Sequence, residues 1–169
     1  MASFARQPIV NRDLAFRLAR AGLLTGVVDG LFSSILSVAA YHSTVSRLFQ
    51  GVAAVVLGDE AFSGGAATVA LGLVMHFGVA FGWSAVFIFL VLRWSWMRGV
   101  VTAPHGVVKV ASVYGPLIWM VMSLIVIPTF THRLPTISIR WWVQLIGHIP
   151  FVGVPIVASS LGAVSPDRA

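Results

Sequence analysis

Apolar residues in this chain come in long unbroken runs rather than in alternation, and four runs are long enough to cross a bilayer. A span needs about 20 apolar residues at 1.5 Å each. The runs are Ala21 to Ala40, Ala66 to Leu92, Val108 to Ile127 and Trp141 to Gly162. Arg93 ends the second, and Pro128 is expected to stop the third. Trp94 and Trp96 below the second run, and Trp141–Trp142 at the start of the fourth, are placed as interfacial aromatic anchors. A fifth apolar stretch, Val45 to Leu57, is too short to span and predicts an interfacial or re-entrant helix. Gly58-Asp59-Glu60 is expected to turn the chain after it, and the connection Thr129 to Arg140, with Pro135, to be irregular. The pattern therefore predicts an all-α polytopic membrane protein: one domain over residues 1–169, four transmembrane helices in a bundle and one short extra helix.

Composition agrees. Of 169 residues, 58% are hydrophobic and 9% charged, against about 25% charged in soluble domains. Mean hydropathy is +0.94. So short a chain cannot hide that much apolar surface in a water-soluble core. The absence of cysteine removes disulfides, zinc–thiolate sites, iron–sulfur clusters and thiol nucleophiles. The net charge of +6 sits between the apolar runs, without interleaved aromatics, and so argues for a membrane rather than nucleic acid.

The same charges predict orientation. With the N-terminus cytoplasmic, Arg6, Arg12, Arg17, Arg20, Arg93, Arg98, Lys109 and Arg168 fall inside, and only Arg47, Arg133 and Arg140 fall outside. That asymmetry predicts cytoplasmic N- and C-termini, in a bacterium within the inner membrane. The first run, with its basic start and Val38-Ala39-Ala40, also has features of a signal peptide. Its length of about 20 residues exceeds the usual 7–15, and it carries Asp29 and spaced glycines, so it is expected to be retained.

In lipid, helices associate where small residues let backbones approach. Gly22, Gly26 and Gly30 form such a ridge on the first span. Gly72, in register with His76, and the pair Gly78 and Gly82 offer further small faces on the second. These ridges are expected to meet inside the bundle, or to give a homo-oligomer face. Gly115-Pro116 in the third span, and Gly147, Pro150, Gly153 and Pro155 in the fourth, predict kinks.

Ionisable residues within a span are costly and usually face the bundle interior. Three occur here: Asp29, His76 and His148. Counted from the span centres, they lie within about 7 Å of one another along the membrane normal. They form the candidate site. An Asp–His pair could hold or relay a proton or a small ion. His76 and His148 could instead ligate one haem, making the chain an accessory subunit of a respiratory or photosynthetic complex, or could bind another metal together with Asp29. A static polar cluster that fixes helix register is the remaining alternative. His42, His105 and His132 fall in connections and read as surface residues, as do Asp59 and Glu60. No GxSxG, HExxH or phosphate-binding loop is present, so no catalytic residue is assigned.

Over roughly Met75 to Ser160 the chain resembles the YagU-like small bacterial inner-membrane proteins. The resemblance rests on His76-Phe77, Gly106, Gly115, Met122, Pro128 and Gly147-His148. It implies a helical inner-membrane protein, supplies no substrate, and includes both membrane histidines.

Overall fold

The computed structural model describes residues 8–161, so Arg6, Gly162 and Arg168 lie outside the described residues. Four helical stretches are long and apolar enough to cross a membrane: Arg12–Ala40, Gly65–Arg93, Gly106–Thr131 and Ile139–Ser160. They assemble as a helical bundle, with no strand among the described residues. The first span comprises α1 (Pro8–Ile35) and a π-helical turn, Leu36–Ala40. A short helix, α2 (Val45–Leu57), follows, with Thr44 as its N-cap: the Thr44 hydroxyl accepts the Arg47 N–H at 3.1 Å. The expected turn at Gly58-Asp59-Glu60 is a 3-10 helix, Gly58–Phe62. The second span is α3 (Gly65–Arg93), and a short α4 (Ser95–Thr102) leads to the third.

The third span continues through Pro128, contrary to the expected stop. It comprises α5 (Gly106–Val121), a π-helical turn at Met122–Val126 and α6 (Ile127–Thr131). The wider turn places Pro128 in the first turn of a new α-helical segment, where a missing N–H leaves no bond unmade. The fourth span repeats the device: α7 (Ile139–His148), a π-helical turn at Ile149–Gly153 containing Pro150, and α8 (Val154–Ser160) with Pro155 at its start.

The two ends of the bundle pack differently. At the α4 end, Phe87, Val91, Val101, Ala111, Ile156 and Val157 are almost completely buried in one core. Tyr114 closes it, donating its hydroxyl to the Trp83 carbonyl at 2.8 Å. Lipid is as apolar as these side chains, so the core is held by close packing rather than by exclusion from water. Glycines make that packing: a Cβ on Gly153 would strike the Ala111 carbonyl, and one on Gly115 the His148 carbonyl. The sequence pattern predicts kinks at both positions, not these close approaches. At the α2 end the spans separate around a cavity.

The glycine ridges divide. Side chains of α3 fill the spaces at Gly22, Gly26 and Gly30: Phe81, Phe77 and His76 in turn. Gly72 meets the Phe49 backbone of α2, not the first span. Among the described residues, Gly78 and Gly82 meet nothing within 4 Å and are exposed, so the expectation that they pack inside the bundle is corrected. They share α3 with the packed positions but lie on another side, where no described residue comes within 4 Å of either glycine's side-chain position.

Candidate functional site

The first, second and fourth spans are mutual neighbours, which the sequence left open. Phe32 of α1 stacks on Phe151 with ring centroids 4.3 Å apart, and the same ring covers Gly147. This packing brings Asp29 and His76 together and sets His148 into the wall of the same cavity.

His76 is held from both sides. Its Nε2 lies 2.9 Å from the Gly26 carbonyl, an oxygen that only accepts, so Nε2 carries the proton and donates it. Its Nδ1 then faces Asp29 Oδ2 at 3.9 Å, beyond direct hydrogen-bond range but within ion-pair range. Phe49 and Phe77 set ring edges against the imidazole, at centroid distances of 5.8 and 5.6 Å. The other carboxylate oxygen, Asp29 Oδ1, is buried without a partner.

His148 is oriented by its own helix. Its Nδ1 donates to the Gln144 carbonyl at 2.7 Å, which leaves Nε2 as a bare acceptor. The Trp119 ring lies against it, with centroids 4.9 Å apart. Among the described residues Asp29 pairs with His76 alone, so the predicted three-residue convergence is a contacting pair plus a third residue lining a shared cavity.

That geometry gives the ligand expectations no support. No group of three or more His, Asp or Glu is placed to hold a metal ion among the described residues. A haem shared by the two histidines requires a free ring nitrogen on each. His148 has one, but His76 has Nε2 committed to Gly26 and Nδ1 turned to Asp29.

The cavity has a volume of about 890 Å³ and opens at the α2 end. Asp29, His76 and His148 line its deep part, while Arg47 and Arg140 stand at its mouth. The two guanidinium groups lie over aromatic rings: Arg47 over Phe62 at 4.8 Å, and Arg140 over Tyr41 at 4.5 Å. Sequence reasoning missed Thr25, Trp119 and Gln144. All three line the cavity, and each has a buried polar side-chain atom with no partner: Thr25 Oγ1, Trp119 Nε1 and Gln144 Oε1. An uncharged residue within a span gives little sequence signal, although Gln144, four residues before His148, shares its helix face.

Outside the cavity lining, Arg133 forms a two-pronged ion pair with Asp59, at 3.3 and 2.9 Å. The Arg133 hydrogen bonds, and then its charge, hold the Asp59 carboxyl below the usual carboxylate range. His42, His105 and His132 are exposed, and all three have a left-handed backbone, with φ of 49°, 60° and 52°.

No family model, curated protein or solved structure matches this chain. Fold and site together define an integral membrane protein with four spans among the described residues and a polar-floored cavity at one end.

Proposed function

We propose that this protein is non-enzymatic and binds and releases protons at the Asp29–His76 pair, through the cavity above it. One observation carries the reading. With Nε2–H committed to the Gly26 carbonyl, a neutral His76 presents a lone pair to the Asp29 carboxylate 3.9 Å away. Two acceptors facing each other in a buried site repel. A single proton, on either group or relayed by one water, resolves the conflict and leaves the pair neutral overall. The cavity gives that proton a route at one end, and the tightly packed core closes the other.

Eight of the eleven Lys and Arg residues fall on one side of the four spans. This supports a bacterial inner membrane with the basic start of the first span in the cytoplasm and the cavity opening to the periplasm. The resemblance to YagU-like proteins is consistent with that location.

Infrared difference spectra recorded across a pH titration of the reconstituted protein test the reading. The expected result is a protonated-carboxyl band that is lost in Asp29→Asn and displaced in His76→Gln, whose amide can still donate to Gly26. A wild-type spectrum in which neither a carboxyl nor an imidazole band changes with pH, or one unchanged in Asp29→Asn, would overturn it.

A further inference from the structure

Above its floor, the cavity has apolar walls and a cationic mouth. Val52, Val55, Val79, Met122 and Val126 line the walls. Ordered water needs several polar partners, and these side chains offer none. Arg47 of α2 and Arg140 of α7 line the same space from different helices, and both are exposed. Guanidinium groups stay charged at every relevant pH, so the mouth carries two permanent cations. Among the described residues neither has a carboxylate within 4 Å, the ion pairs there being Asp29–His76 and Asp59–Arg133.

Each guanidinium is steadied by a ring: Arg47 by Phe62, itself a lining residue, and Arg140 by Tyr41. A stacked guanidinium keeps its N–H groups in its own plane, where they can donate to a carboxylate or a phosphate. Two such cations at the entrance of an apolar space select by charge. A cationic head is repelled, and a neutral one gains nothing that water did not already give the arginines. An anionic head gains charge-assisted hydrogen bonds, while its tail packs on the walls. The volume of about 890 Å³ lies within the range of sites for drug-sized molecules, a class that includes one alkyl chain with its head but not a two-tailed phospholipid.

We infer that the cavity binds a single-chain anionic amphiphile, its carboxylate or phosphate head held at the mouth by Arg47 and Arg140 and its aliphatic tail lying along the apolar walls. Fatty acids and lysophospholipids both present this chemistry. Binding alone is inferred, with no reaction on the amphiphile. It rests on the walls and the mouth, not on the titration of Asp29 and His76, so it stands or falls separately from the proton site.

The test uses the full chain in phosphatidylcholine nanodiscs at mildly alkaline pH, with dodecanoate and dodecyl phosphate as probes. Probe retained after gel filtration is quantified against empty nanodiscs. The expected result is saturable retention of one molecule per protein above the empty-disc background for at least one probe, and the tighter of the two identifies the head. Arg47→Gln and Arg140→Gln, at exposed positions where folding is little disturbed, should each weaken it about tenfold. Dodecyltrimethylammonium, with the same tail and the opposite charge, and acetate, with a carboxylate and no such tail, should not compete at equal concentration. Retention of both probes no greater than in empty discs would overturn the inference, as would an affinity unchanged in both arginine variants. Effective competition by dodecyltrimethylammonium would overturn it by showing that the mouth does not read charge, and competition by acetate by showing that the arginines hold a small anion without a tail. The competition needs only the wild-type protein, so a variant that fails to fold does not remove the test.

Discussion

Gly26 serves two residues of α3 at once: its carbonyl accepts the His76 Nε2–H at 2.9 Å, and the Phe77 ring occupies the space where its side chain would stand. Gly26→Ala therefore forces the ring or the helix aside and disturbs the His76 bond with it. Overpacking of this kind costs about 1–3 kcal/mol. Thermal unfolding in detergent should show the loss, and the carboxyl band assigned to Asp29 should shift in the same variant. A stable Gly26→Ala with an unchanged band would show that the contact does not position the pair.

Gly115 tests the same principle against a harder neighbour. A Cβ there would strike the His148 carbonyl, and backbone cannot rotate away as a ring can. Gly115→Ala should cost about 3 kcal/mol, the upper end of the overpacking range. Gly78→Ala and Gly82→Ala, which meet nothing, should stay within about 1 kcal/mol of the parent, on the stabilising side, because alanine is the better helix former. Equal losses at all three positions would point to a covered face on α3 that the monomer does not show.

His132 follows the last residue of α6 in a left-handed conformation that asparagine tolerates better than other side chains. Its ring is exposed, so little packing is lost on replacement. His132→Asn should raise stability by about 0.5–1 kcal/mol, and His132→Ala should not. Midpoints of thermal unfolding distinguish the two.

The Asp59–Arg133 pair joins the 3-10 helix after α2 to the connection before α7. Arg133 depresses the Asp59 pKa in the folded protein from its ordinary value of 3.8. The contribution is therefore fully present above about pH 4 and fades as pH falls through the lowered folded value. Both groups are exposed, so the effect is small and local to this contact. A spin label at Thr136 should gain mobility only as pH falls below about 4, through the lowered folded pKa of Asp59. In Arg133→Gln it should be mobile above and below that pH.

Much of the architecture was legible because hydrocarbon imposes a simple rule. A helix that satisfies its own backbone bonds and carries about 20 apolar residues spans, and a 13-residue one does not. Pro128 broke the simpler reading because a π-helical turn one step earlier absorbs the missing donor, and no local residue pattern announces such a turn. Helix faces were less legible than helix positions. Gly26 and Gly78 look alike in sequence, yet one receives an aromatic ring and the other faces outward, because only the neighbouring helix decides which side is inside.

From the sequence alone, Asp29, His76 and His148 are expected at similar depths, since depth is residue count multiplied by helical rise. The tertiary structure decided that His76 turns one nitrogen to a glycine carbonyl and the other to Asp29, while His148 bonds to its own helix. Rise along a helix is a property of the chain; rotation about the helix axis is set by the packing of Phe77, Phe81 and Phe32 against glycines far away in sequence.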